Sequence, residues 1–298
     1  MFAYGEVYSL TAWPVKRMEY ARRVGCYSLH RLRFDGKRIY DHRMTHAIHL
    51  IVTLTLSLAA CVGAPSTAEA TPAATSAPVT VITLNVHGGT DREGGGNRGK
   101  TTAVRADVGA LVVRHQPTMI ALQELCGTQY RALRAKLAKL GYSGAFTNTQ
   151  KASGCNDKRN GNQSGNGIFI KGIIETRYSW ALPWGANPKG VTGRQPRRLL
   201  CVKPLGETWR ACVTHLSPHA PDVLNQAARV AEAIDRWAGR VIVAGDFNLS
   251  SKWVGRSFPG YASAGADIDH VVTTGAVEVT AVDPVRSSDH PAVVGVAS

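Results

Sequence analysis

Several apolar runs in this chain end on a side chain able to hold a cation or move a proton. Asn85 closes VTVITLN, Glu124 closes TMIALQE, and His215 closes RACVTH. Asp246 and Asn248 follow VIVAG, Asp269 follows Ala266-Asp267-Ile268, and Asp289-His290 stands just before the last apolar run. Carboxylate and amide oxygens are hard donors. Imidazoles exchange protons near neutral pH. Any one of these residues alone is explained by a turn that satisfies a strand-ending polar group. Together they ask for a fold that brings strand ends to one cleft.

The intervening pattern supplies such a fold. Val79–Asn85 is β-branched and apolar and reads as a buried strand. Thr101–His115 has helical spacing through Val104, Val108, Leu111 and Val112, and Thr118–Glu124 is a second strand. Thr128–Leu140 is a second helix with Leu133, Leu137 and Leu140 on one face; its Arg131, Arg134 and Lys139 read as a solvated face. Further strands are expected at Gly167–Ile170, Arg198–Lys203, Trp209–His215, Val241–Asp246, Ile268–Thr273 and Ala292–Val296, with a helix over Asp222–Trp237. Strands outnumber helices and their connections are short. The expected class is α/β, a four-layer sandwich of two packed mixed β-sheets flanked by helices.

The motifs Thr83-Leu84-Asn85, Leu122-Gln123-Glu124, Thr214-His215-Leu216, Gly245-Asp246-Phe247-Asn248, Ile268-Asp269-His270 and Ser288-Asp289-His290 occur in one order along the chain. In that order they resemble the endonuclease/exonuclease/phosphatase superfamily, which includes deoxyribonuclease I, abasic endonucleases and neutral sphingomyelinases. The resemblance spans essentially all of residues 79–298. It implies that Glu124 binds Mg²⁺, with Asn85 beside it and Asp289 completing an oxygen-rich shell, Mn²⁺ being an alternative. It further implies that Asp246 and Asn248 orient the attacking water, with Asp246 as base. His290 matches the family's second catalytic histidine, with Asp269 fixing its tautomer. His215 matches the histidine that contacts phosphate or protonates the leaving group. Arg194-Gln195-Pro196 is similar to an Arg-Glu-Pro of deoxyribonuclease I, which suggests Arg194 as a phosphate contact; a surface loop arginine explains it equally well. Two departures stand out. His270 replaces a common tyrosine and is read as stacking or hydrogen-bonding nearby. Gly165-Asn166-Gly167 lacks the glutamate that orients the first histidine in deoxyribonuclease I, so His215 needs another partner.

The 298 residues are 44% hydrophobic, enough for one sizeable core, and carry a net charge of +14. Excess Arg and Lys favours polyanionic partners, although charge alone also serves solubility. Residues 1–70 form an N-terminal extension. In it, Leu50–Cys61 is apolar but shorter than the roughly 20 residues of a membrane span, and is followed by small residues. That shape is a secretory signal with Ala68-Glu69-Ala70 as cleavage site, or a lipoprotein box with Cys61 as the lipidated residue. Residues 71–78 continue a Pro/Ala/Ser/Thr linker, and the folded domain is expected at 79–298. Of the six cysteines, Cys26 and Cys61 lie in the extension. Cys201 and Cys212 flank a turn near Gly206-Glu207 as cross-strand neighbours, leaving Cys126 to pair with Cys155. No metal-type spacing supports a zinc site instead. The loops His87–Lys100 and Lys151–Asn166 are Gly/Asn-rich and basic. They read as surface loops whose bases could border a phosphate-binding cleft.

The expected function is therefore that of a secreted or cell-surface, Mg²⁺-dependent phosphodiesterase, an endonuclease acting on nucleic acid as a monomer with no transmembrane span. Sphingomyelinase-like or inositol-phosphate chemistry is the alternative enzyme class, with anionic phosphate esters or phospholipid as substrate. A surface binding module on the same scaffold is the non-enzyme alternative.

Overall fold

The computed structural model describes residues 77–88, 99–158, 161–183 and 196–298. Cys61, the signal-type run and Arg194 lie outside the described residues. The first sheet is built from β1 (Val79–Asn85), β2 (Met119–Cys126), β3 (Tyr142–Lys151), β4 (Gln163–Lys171), β11 (Val277–Asp283) and β12 (Ala292–Ala297), ordered β11-β12-β1-β2-β4-β3. The second contains β5 (Ile174–Ala181), β6 (Arg198–Pro204), β7 (Arg210–His215), β8 (Val241–Asp246), β9 (Ala262–Ala266) and β10 (Asp269–Thr273), ordered β5-β6-β7-β8-β10-β9. Each sheet is mixed: β1–β2 and β7–β8 are parallel, the remaining pairs antiparallel. The helices are α1 (Thr101–His115), α2 (Gly127–Ala138), α3 (Asp222–Ile234) and α4 (Ser251–Ser257).

Side-chain alternation along the strands divides the apolar residues into three layers. Val81, Met119, Ala121 and Ile168 from the first sheet meet Val213, Ile242, Ala244 and Val271 from the second, forming the seam between the sheets. Their neighbours in sequence point the other way. Ile82, Leu84, Ile120 and Leu122 pack under Val104, Val108, Leu133 and Leu137 of α1 and α2. Val241, Val243 and Val272 pack under Val223, Ala227, Val230 and Ile234, the i, i+4, i+7, i+11 stripe of α3. Each fully buried aliphatic side chain contributes about 1.5–3 kcal/mol. The order helix, sheet, sheet, helix is the expected four-layer sandwich.

The expected helix Thr128–Leu140 runs Gly127–Ala138, and Asp222–Trp237 stops at Ile234. α4, β3, β5, β9 and β11 have no counterpart among the elements predicted from sequence. Both predicted disulfides are formed. Cys201 and Cys212 are register partners of β6 and β7, and Cys126 is bonded to Cys155. Among the described residues no helix is long and apolar enough to cross a membrane.

Candidate active site

Strand parity decides which side chains meet. Asn85 continues the seam-facing series of Val79 and Val81, and His215 that of Ala211 and Val213. Asp246 continues Ile242 and Ala244, while Asp269 shares the phase of Val271. All four therefore emerge from the seam where the parallel strands β1, β2, β7 and β8 end. The two sheets touch through them: Asn85 Nδ2 donates to Asp246 Oδ2 across the seam (3.1 Å) and to Glu124 Oε1 (3.1 Å). His215 and Asp246 are register partners, with Nε2 of the imidazole 3.3 Å from Asp246 Oδ2. That approach depends on Gly245, since a Cβ there would lie 2.0 Å from the Thr214 carbonyl oxygen.

Glu124 is out of phase with this series and reaches the site by a different device. The ladder between β2 and β4 slips between Leu122 and Leu125, and Glu124 adopts φ 54°. A bulge with one left-handed residue re-aims a side chain, at a cost of order 1–3 kcal/mol. His87 (φ 52°) and Asn248 (φ 50°) are left-handed at the same cleft. Asn248 N–H donates to Asp246 Oδ1 (3.0 Å), and its amide Nδ2 donates to the Leu216 carbonyl (2.9 Å), which fixes both ends of the Gly-Asp-Phe-Asn turn.

The Ser-Asp-His segment is held from both sides. Ser288 Oγ donates to the Asn85 carbonyl (2.5 Å) and accepts from His290 N–H (3.0 Å). Asp107 on α1 accepts from Arg286 N–H (3.0 Å) and Ser287 N–H (2.8 Å). Asp289 is thereby placed 3.2 Å from His87 Nδ1, and His290 Nδ1 lies 2.7 Å from Asp269 Oδ2.

The environment divides the two histidines. Burial pushes His215 well below its ordinary value, helped by the charges of Arg197 and His290, so its ring is neutral. The hydrogen bond to Asp269 raises His290 to about 9, so its ring is an imidazolium at neutral pH. Burial and the neighbouring Asp269 raise Asp246 to about 6, in the range of a general base.

The cleft of about 310 Å³ is lined by Asn85, Glu124, His215, Asp246, Asn248, Asp289 and His290, so these sequence-predicted residues do converge. Asp269 stands behind His290. His270 points the other way, edge-on to Phe247 (5.9 Å), with Nε2 2.9 Å from the Leu249 carbonyl. Asn166, standing where a glutamate was sought, donates to the Arg198 carbonyl (2.9 Å), and the neighbours of His215 are Asp246 and, at 4.0 Å, Glu124. Sequence reasoning missed Arg197, His87, Ser217 and His219, which also line the cleft. Arg197 is buried, with burial lowering its pKa against the opposing pull of Glu124 and Asp246. Its position immediately before β6, close to the arginine picked from sequence, was the available signal.

Two groupings could hold a cation. Ligand atoms of Asp246, Asp269 and His290 lie within 4.8 Å of one another, but Asp269 Oδ2 and His290 Nδ1 are engaged with each other. Glu124 and Asp289 carry carboxylates open to the cleft, with side-chain exposures of 26% and 38%, and the Asn85 amide lies beside Glu124. The two carboxylates fit a hard divalent ion, while the Asn85 amide turns its Nδ2 to Glu124 and its Oδ1 accepts from His87 N–H (3.0 Å).

A sequence model described as the Endonuclease/Exonuclease/phosphatase family matches residues 82–290, a span that holds every motif described above. The chain belongs to that family. Members of the family are phosphoric-ester hydrolases. No curated protein matches the chain. Solved structures similar to this family member include the human Nocturnin catalytic domain with bound sulfate anion (18% identity, TM-score 0.56, covering 74% of this chain and 93% of that one). An endonuclease/exonuclease/phosphatase from Bacteroides vulgatus aligns at 15% identity and TM-score 0.56, covering 74% and 98%. A mannosyl-6-phosphatase of Bacteroides thetaiotaomicron aligns at 17% identity and TM-score 0.52, covering 73% and 98%. At these identities the likeness is one of fold.

Proposed function

We propose that residues 79–298 are the catalytic domain of an exported, divalent-metal-dependent phosphodiesterase that cuts nucleic acid as an endonuclease. The observation that carries the reading is the meeting of Glu124, Asp246, Asp289 and His290, contributed by both sheets, in one cleft. Glu124 and Asp289, with Asn85, would hold Mg²⁺ or Mn²⁺. When bound, the ion supplies Lewis-acid polarisation of the phosphoryl group. Asp246, steadied by the Asn248 N–H, accepts a proton from the attacking water as its oxygen bonds to phosphorus. His290, its Nδ1 committed to Asp269, donates from Nε2 to the leaving oxygen as the phosphorus–oxygen bond breaks. Neutral His215 and cationic Arg197 orient and neutralise the phosphate. Arg194, which lies outside the described residues, is a further candidate phosphate contact.

Outside residues 1–70 the chain keeps 26 Lys and Arg against 16 Asp and Glu, an excess of positive charge that favours a polyanionic substrate over a small ester. Trp180 packs on Tyr178 and Trp237 against the outer face of the second sheet, and the exposed Trp253 is covered by the Arg256 guanidinium (5.0 Å), neither of which supports a lipid-inserting rim. Two disulfides suit an oxidising compartment, in keeping with residues 1–70 as an export segment, either cleaved or lipidated at Cys61, and 71–78 as linker. The test is nicking of supercoiled plasmid with Mg²⁺ and with EDTA, beside hydrolysis of sphingomyelin and of a phosphomonoester. Nicking lost in EDTA and in His290→Ala is expected. Turnover of either other substrate without nicking overturns the nuclease reading.

A further inference from the structure

At the end of the sandwich away from the cleft, exposed apolar side chains and unneutralised cations occur together. β1 runs from this pole to the cleft, so its seven residues separate the two by about 20 Å. Val113, at the end of α1, is 75% exposed; Leu140, after α2, is 42% exposed. Ile173, between β4 and β5, is 63% exposed, and Leu205, between β6 and β7, is 57% exposed. Val113 and Leu140 border one hollow of about 550 Å³ together with Lys139 and Lys171. Ile173 borders a second, of about 460 Å³, together with Arg134 and Arg177. Tyr142 belongs to both hollows, and Leu205 N–H donates to the Ile173 carbonyl (2.8 Å), so the four apolar tips form one face.

No acidic residue lines either hollow. Arg134 and Arg177 pair with no carboxylate among the described residues; both stand near the Tyr130 phenol. Of the carboxylates on the neighbouring strands and turn, Glu175 is paired with Lys203 (2.6 Å), while Glu207 accepts from the neutral Trp209 indole N–H (3.1 Å) and keeps its charge.

We infer that this pole is a docking face for an anionic phospholipid surface. The apolar tips stand on four separate turns and helix ends with cations and phenols between them. Four cations and no carboxylate line the two hollows, which favours an anionic partner, and a nucleic acid offers nothing to Ile173 or Leu205. A bilayer interface accepts both kinds of group at once. Separate apolar tips enter between headgroups, and lysine and arginine reach the phosphates. The path of the chain agrees. Residues 62–78 join the domain at Val79, beside the first hollow, where Thr118 N–H donates to the Thr80 carbonyl (2.8 Å). The chain thus enters the domain at this pole, at the opposite end of β1 from the cleft. The inference does not depend on the bond the cleft hydrolyses.

The experiment is co-sedimentation of the full chain with vesicles of equal parts phosphatidylglycerol and phosphatidylcholine, and with pure phosphatidylcholine vesicles, in EDTA. Any contribution of Leu50–Cys61 is common to all arms. Wild type should prefer the anionic vesicles, and the preference should weaken with salt. Each of Arg134→Gln, Lys139→Gln, Lys171→Gln and Arg177→Gln should cost about fivefold in affinity for the anionic vesicles, and the quadruple variant should lose most of the anionic preference. Ile173→Ser with Leu205→Ser should weaken binding that survives high salt. An unchanged thermal midpoint and unchanged plasmid nicking, which these residues do not serve, show that the variants are folded. Equal binding of wild type to both vesicles overturns the inference, as does a quadruple variant that keeps the anionic preference. So does a quadruple variant that loses duplex-oligonucleotide binding while vesicle binding stays intact.

Discussion

Replacing Asp269 by asparagine tests the division of labour between the two histidines. Asp269 is 1% exposed and its Oδ2 lies 2.7 Å from His290 Nδ1. That contact is the main reason His290 is raised from 6.5 to about 9, with Asp246 and Asp289 adding to it. At about 1.4 kcal/mol per pH unit, the gap corresponds to roughly 3 kcal/mol of preference for the charged ring. Partial exposure of that ring reduces this to about 2 kcal/mol. Because the folded value is raised, the stabilisation is complete below the ordinary imidazole value and is lost as pH rises through about 9. In metal-free protein, histidine NMR should therefore find His290 titrating near 9 in wild type and close to its ordinary value in Asp269→Asn. The difference in unfolding free energy between the two proteins should close over the same pH window. Turnover of plasmid at neutral pH should fall about 10²- to 10⁴-fold, the range lost with a general acid. A His290 that titrates at the ordinary value in wild type, or that is indifferent to the substitution, refutes the pairing as the source of the proton donor.

Gly245→Ala places a Cβ 2.0 Å from the Thr214 carbonyl and should cost about 1–3 kcal/mol in chemical denaturation while parting His215 from Asp246; an unchanged midpoint would contradict the close approach. Arg197→Gln should lower kcat/KM on DNA by about 10²- to 10³-fold, since it removes the buried cation that faces Glu124 and Asp246; steady-state kinetics equal to wild type would take Arg197 out of the site. Removing Cys126–Cys155, which closes 29 residues, should cost about 4 kcal/mol, against about 3 kcal/mol for Cys201–Cys212 with its separation of 11. The first loss should also depress turnover, because Cys126 lies two residues from the Glu124 bulge. Equal activity in both double-serine variants would disconnect that bulge from the disulfide.

The strands legible in the sequence, β1, β2, β4, β6, β7, β8, β10 and β12, are the inner strands of the two sheets. Those that escaped, β3, β5, β9 and β11, are the four edges. An inner strand buries both faces and is written as a continuous apolar run, as in Val241–Gly245. An edge strand buries one face at most. The half-buried alternation of Ile174–Ala181 and Val277–Asp283, and the small residues of Ala262–Ala266, become strands only when a neighbour offers them a ladder. The catalytic candidates were readable for a related reason: Asn85, His215 and Asp246 each end an apolar inner strand, and strand parity alone turns them into the seam.

What local sequence could not determine was set by contacts distant along the chain. Glu124 reaches the cleft only because β2 slips against β4, and His270 leaves it because its phase is opposite to that of Asp269. Arg197 enters it from the foot of β6, its charge opposed to Glu124 and Asp246, which stand on other strands. Residue type and strand phase lie in the order of the amino acids. The pairing register, and with it the charge each side chain meets, exists only once both sheets have closed on one another.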